Sequence, residues 1–340
     1  MKPGGRGADM FSKDIGIDLG TANVLIHVKG KGVVLDEPSV VAVEEKTGRV
    51  LAAGAEAHRM IGRAPGTIKT VRPMKDGVIA DFDMTEKMLT AFIDRLGVKG
   101  FLSKPRILIC CPVKVTAVEQ KAIQDAAIKS GARRVYIEEE PKVAAIGAGM
   151  DIYQPSGNMI IDIGGGTSDI AVLSMGGIVT SESVKIAGNT FDRDILQAVK
   201  KNDRLLIGEA TAEQIKKEVG TAFPGAEVKT LDIRGRDLAT GLPKAVTVSS
   251  AQVAESIRES VAAIVQGAKN VLEKTPPELS ADIIDRGITL TGGGALLDGL
   301  DKLLAEELKV PVYLAEDPLG CVVAGTGIML DSRKTNFQKK

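Results

Sequence analysis

An apolar run, an aspartate, a glycine turn with a threonine and a second apolar run occur twice in this chain. The first copy is IGIDLGTANVLI at 15–26 and the second is IIDIGGGTSDIAV at 160–172. Internal repeats decide a fold where they exist, and this one divides the chain into two halves of related design. Each copy has the pattern of a β-hairpin whose tip is glycine. The 340 residues leave room for about two domains, each with a core of its own.

Between the copies, the spacing of apolar residues predicts a helix over 84–96, a strand over 107–111 and an amphipathic helix over 116–130 closed by Gly131. A strand over 135–137 follows, and Pro141 fits the first position of a helix running to about Gly147. The second half reads as helices over 192–201 and 212–219, a strand over 246–249, and a long helix over 251–274 that stops at Thr275, Pro276 and Pro277. A strand over 288–291 enters the Gly292, Gly293, Gly294 run, and a helix over 296–308 follows. Strands alternating with helices imply a mixed or parallel α/β sheet in each half, with the two domains facing each other across a cleft.

Segments 33–80 and 189–250 break this rhythm and read as smaller inserted lobes. The first domain is then 10–32 with 81–150 and the C-terminal 326–340. The second is 151–188 with 251–325, and residues 1–9 are a disordered extension.

Composition removes several function classes. The 44 basic residues equal the 44 acidic ones, so there is no electrostatic footprint for nucleic acid. Cys110 and Cys111, two of only three cysteines, lie inside an apolar run and read as small core residues of a reducing cytosol. Residues 1–14 lack the apolar stretch of a signal peptide. No window reaches the roughly 20 apolar residues that cross a bilayer. His27 and His58 stand alone, without a ligand cluster, and are read as structural.

Glycine at a hairpin tip lets backbone N–H groups approach an anion without a Cβ in the way. Gly20, Thr21, Ala22 and Asn23 form one such tip, and Gly164, Gly165, Gly166 and Thr167 the other. Together they suit a polyphosphate. Asp18 and Asp162, just before the tips, suit the water shell of Mg²⁺, a hard cation that keeps waters and prefers carboxylate oxygens. The competing interpretation is ordinary tight turns capped by aspartate; the duplication and the third glycine run at 292–294 count against it. There is no G-x-x-x-x-G-K-[ST] phosphate loop and no G-x-G-x-x-G opening a helix.

These residues resemble the actin-like ATPase superfamily and, from 10 to about 331, its MreB/Mbl family of bacterial cell-shape proteins. The match rests on DIGIDLGTAN (14–23), RPMKDGVIAD (72–81), EEPKVAAIGAG (139–149), DIGGGT (162–167) and EKTPPEL (273–279); CCP (110–112) and EPKV (140–143) lean toward the Mbl branch. The resemblance implies the ribonuclease H-like actin fold, ATP with Mg²⁺, and weak ATP hydrolysis coupled to head-to-tail filaments of the chain itself.

It further implies attachment to the inner face of the cytoplasmic membrane, and work with cell-wall synthesis and shape-determining membrane proteins to set rod shape. Glu140 is implied to orient the attacking water, although on the residues alone an acid there also stabilises a helix N-terminus. Glu213, Gln214, Ile215 and Lys216 are implied to line the nucleoside end, and Gly292, Gly293, Gly294, Ala295 and Leu296 to pack near the adenine and α-phosphate.

Phe101 and Leu102 read by themselves as a satellite apolar cluster. The resemblance makes them a membrane-entering loop, with Lys99 and Lys104 suited to anionic lipid. One departure stands out: Asn189 occupies a position where the family usually has aspartate. A sugar or acetate kinase of the same superfamily is the alternative, and it requires a substrate-specific carboxylate base in the cleft, for which the sequence nominates no residue. The related chaperone ATPases carry a further substrate-binding domain, for which no sequence follows Lys340.

Overall fold

The computed structural model describes residues 14–97, 104–113, 115–223 and 228–331. The chain divides into two compact units, Met1–Gly149 with Gly320–Lys340, and Met150–Leu319. The apolar pair Phe101 and Leu102 and the extension 1–9 lie outside the described residues.

The first unit contains β1 (Ile15–Leu19), β2 (Asn23–Val28), β3 (Gly32–Pro38), β4 (Val41–Glu44), β5 (Val50–Ala53), α1 (Ala55–His58), β6 (Ile68–Val71), β7 (Met74–Lys75), β8 (Val78–Ile79), α2 (Phe82–Arg95), β9 (Arg106–Cys111), α3 (Ala117–Lys129), β10 (Arg134–Glu139) and α4 (Glu140–Gly147). The last helix among the described residues, α10 (Cys321–Asp331), also belongs to it.

The main sheet runs β10-β9-β1-β2-β3. Ile15, Ile17 and Leu19 enter an apolar layer with Phe92 and Ile93 of α2 and Ile123 of α3. The two-residue period of a strand sends Gly16 and Asp18 to the opposite face. There Thr326 of α10 occupies the space a Cβ on Gly16 would need.

α10 also meets α4 backbone to backbone. A Cβ on Gly147 would overlap the Cys321 carbonyl oxygen, and one on Gly325 would overlap that of Val143. Overpacking of this kind typically costs about 1–3 kcal/mol. Gly147→Ala is therefore expected to lower the urea midpoint of unfolding, and an unchanged midpoint would show that the helices separate freely.

The second unit contains β11 (Asn158–Ile163), β12 (Ser168–Ser174), β13 (Gly177–Val184), α5 (Gly188–Asn202), β14 (Leu205–Leu206), α6 (Glu209–Val219), β15 (Thr230–Asp237), β16 (Pro243–Ser249), α7 (Ser250–Glu273), α8 (Pro277–Arg286), β17 (Ile288–Thr291), α9 (Leu300–Leu308) and β18 (Val312–Leu314). Its main sheet runs β13-β12-β11-β17-β18. β11 is antiparallel to β12 and parallel to β17, as β1 is to β2 and β9. The repeat seen in two short segments is therefore a repeat of whole sheets. α7 opens on a capping box formed by Ser249 and Gln252 and buries Val253, Ile257, Val261, Ile264 and Ala268 at helical spacing.

The smaller sheets β5-β4-β6 and β14-β15-β16 lie within 33–80 and 189–250, whereas β3 joins the main sheet of the first unit. The sequence reading lacks β13, β15 and β18 and starts α6 at 212 rather than Glu209, and two further helices differ from expectation. The helix expected from 296 begins at Leu300, after a 3₁₀ turn over Gly293–Leu296 and a left-handed Gly299. The intervening Asp298 carbonyl accepts from the Ala222 amide and the Thr221 hydroxyl, which holds that stretch off the helix axis. α8 has no counterpart in the sequence reading, although Pro277 and Glu278 in its first turn and Gly287 after its last are ordinary helix boundaries. Among the described residues no helix is long and apolar enough to cross a membrane.

Candidate functional site

Strand register places the two aspartates in matching rows. In the first sheet Asp18 lies between Cys110 and Leu25, and the row continues to Glu138 on one side and Asp36 on the other. In the second, Asp162 lies between Thr291 and Asp169.

The turns that follow are built alike. In the first, the Gly20 carbonyl accepts from the Ser39 hydroxyl at 2.6 Å and the Ala22 carbonyl from the Ser39 amide at 2.8 Å. In the second, the Gly164 and Gly165 carbonyls accept from the amides of Gly188 and Asn189 at 3.1 and 2.8 Å. Ser39 closely follows β3 and Gly188 closely follows β13, the equivalent third strands, so each loop is held from the same topological place. Among the described residues the amides of Thr21, Ala22, Gly165 and Gly166 make no hydrogen bond. Carbonyls tied back and amides unspent are the arrangement that binds anions. At position 189 the visible contribution is a backbone amide, which asparagine supplies as well as aspartate does.

Charge around the first loop is concentrated. Burial, followed by the negative charge of Asp36, pushes the Asp18 carboxyl up to about 7, although the side chain keeps an edge to solvent. Burial likewise raises the Cys110 thiol, with Asp18 and Glu140 as the next causes. Cys110 is buried, as the sequence reading expects, and both carboxylates lie around its thiol. Glu140 opens α4, with Pro141 second in the helix rather than first, Glu139 at the N-cap and Glu138 paired to Lys142 at 3.5 Å.

In the second unit Asp162 is 3% exposed. A Cβ on Gly292 would overlap both its carboxylate and the Ile163 carbonyl, and one on Gly294 would overlap the Ile163 side chain. The buried Thr291 hydroxyl has no hydrogen-bond partner among the described residues. A buried carboxylate, an unspent hydroxyl and neighbours that must be glycine fit a hydrated Mg²⁺ held largely through water and phosphate.

The residues expected at the nucleoside end separate into two groups. Lys216 donates to the Gly188 carbonyl at 3.0 Å, and Gly292 donates its amide to Pro318 at 2.9 Å. These join the second loop, along with Gly294 and the buried Ala295. Glu213 pairs along its own helix with Lys217 at 2.7 Å, and Gln214 with Glu218 at 2.9 Å. Ile215 is fully buried in the core, so only its backbone is available to a ligand, whereas Leu296 is half exposed. Ser39 and Gly188 were not legible as loop supports.

The sequence model of the MreB/Mbl protein family matches residues 12–338. The cell shape-determining protein Mbl of Bacillus subtilis is 67% identical over 323 residues, which is 95% of this chain and 97% of that protein. A crystal structure of MreB5 of Spiroplasma citri bound to ADP has 41% identity and a TM-score of 0.91, covering 97% of this chain and 99% of that one. A second crystal structure, of MreB 5 of the same organism bound to AMPPNP, has 42% identity and a TM-score of 0.89, covering 94% and 96%. With its paired sheets, its paired aspartate-glycine turns and these matches along nearly its whole length, the chain belongs to the MreB/Mbl family of actin-like proteins.

Proposed function

We propose that the chain is an ATP-dependent cytoskeletal protein. It assembles into filaments on the inner face of the cytoplasmic membrane, hydrolyses ATP weakly, and organises cell-wall synthesis to set rod shape. The observation that carries this reading is the pair of equivalent turns whose carbonyls are tied back and whose amides are unspent. The nucleotides bound by MreB5 and the cell-shape role named for Mbl agree with it.

Amides of Thr21, Ala22, Gly165 and Gly166 take phosphate oxygens, with Asn23 and Thr167 beside them. Asp18 and Asp162 hold Mg²⁺ through its waters, and the ion supplies charge neutralisation on the phosphates. Glu140 orients a water toward the terminal phosphate. Glu213 and Lys216 take the ribose end, and Gly292, Gly293, Gly294 and Ala295 leave room for the base. Sedimentation of the purified chain with ATP tests the assembly: pelleting with ATP but not without it is expected, and no pelleting in either condition would contradict it.

Phe101 and Leu102 are proposed to enter the membrane. A side chain fully buried in an apolar phase is worth about 1.5–3 kcal/mol, so a single protomer holds on weakly, and a filament multiplies the contact through avidity. Phe101→Ser with Leu102→Ser should abolish flotation of filaments with liposomes while leaving ATP hydrolysis and melting temperature near wild type. A large drop in melting temperature would place the pair in a core instead, and undiminished flotation would equally defeat the assignment.

A further inference from the structure

Lys216 is the point at which α6 meets the second glycine turn. Its ammonium donates to the Gly188 carbonyl at 3.0 Å and lies 2.9 Å from Asp192 Oδ1, with both side chains 16% exposed. Gly188 in turn gives its amide to the Gly164 carbonyl. A Cβ on Gly188 would lie 3.3 Å from the Gly164 oxygen and 3.4 Å from Lys216 Nζ, so nothing separates the turn from the lysine. Asp192 is four residues beyond Gly188 on α5, one helical turn away and on the same face. Burial pushes the Asp192 carboxyl up, and the charge of Lys216 pulls it back down.

An ammonium has three donors. One of those on Lys216 goes to the Gly188 carbonyl, while Asp192 Oδ1 holds the ammonium as an ion pair at 2.9 Å without accepting a hydrogen bond. Without the aspartate, a largely buried lysine loses the counter-charge 2.9 Å from its ammonium and gains by turning outward to water. It would then release the Gly188 carbonyl.

We propose that Asp192 is a positioning residue for phosphate binding by the second turn: it fixes Lys216 on Gly188, and Gly188 fixes the Gly164 carbonyl that aims the turn's amides. This rests on the reading of 164–167 as a phosphate loop. The device couples occupancy of the nucleoside end, through Lys216, to the geometry of the phosphate end.

Calorimetric titration of the full chain with AMPPNP and Mg²⁺ tests it. Asp192→Ala is expected to weaken affinity by about tenfold or more, because breaking a largely buried ion pair leaves the lysine charge uncompensated. Asp192→Asn, which keeps an acceptor without the charge, is expected to lose less. In a Lys216→Met background, Asp192→Ala should cost less than about twofold further, because coupled residues are not additive.

A purely structural aspartate would instead lower the melting temperature and leave the affinity of the folded protein unchanged. Affinity of Asp192→Ala within about twofold of wild type, or an equal loss with and without Lys216, overturns the proposal. Should Asp192→Ala fail to fold, Asp192→Asn decides, and wild-type affinity there overturns it. Failure of the wild-type chain to bind AMPPNP would sink the phosphate-loop reading itself.

Discussion

Asp162→Ala is expected to abolish Mg²⁺-dependent ATP binding. The carboxylate lies one residue before the end of a fully buried strand, is 3% exposed itself, and stands where Gly292 must lack a side chain to leave it room. Mg²⁺ in nucleotide sites has few protein ligands and keeps several waters. Removing one carboxylate therefore removes a large share of what the protein offers the metal. A loss of at least about a hundredfold, nearly 3 kcal/mol, is expected by calorimetric titration with Mg²⁺. Circular dichroism should be unchanged, because the hydrogen bonds pairing Asp162 with Thr291 and Asp169 come from the backbone. Affinity within about twofold of wild type would remove 162–167 from the site.

Glu140→Ala should separate binding from chemistry. The side chain opens α4 and lies with Asp18 around Cys110, on the face of the sheet away from α2 and α3. A positioned acid or base contributes about 10² to 10⁴ in rate. ATP affinity should therefore stay near wild type while phosphate release falls by that factor. Because helix-dipole stabilisation is worth only about 0.3–1 kcal/mol, loss of that role alone would lower the melting temperature slightly and leave turnover intact. Near-normal turnover in a folded variant would return Glu140 to the helix-end role.

The parts of this fold that were legible are those written locally. A strand, an aspartate and a glycine tip occupy about ten consecutive residues, and both hairpins form where the pattern places them. Thr116 and Glu119 likewise announce the start of α3 and form its capping box. What stayed hidden depends on partners distant in sequence. Ser39 supports Gly20 through a hydroxyl 19 positions away, and a lone serine has no pattern of its own. Gly188 acts through its backbone, which no side-chain signature reports. Asp192 and Lys216 meet across two helices, so the helical spacing that puts Glu213 and Lys216 on one face gave no hint of the actual pairing. The start of α9 moved because Thr221 holds Asp298, a contact 77 positions long. α8 is different, since its proline, acid and glycine were all present and simply went unread.

Negative-stain microscopy of the purified chain with vesicles of anionic lipid, with and without ATP, tests the proposed role most directly. Filaments lying on the vesicles with ATP, and none without nucleotide, are the expected result. Dispersed particles under both conditions would contradict an ATP-driven cytoskeletal function.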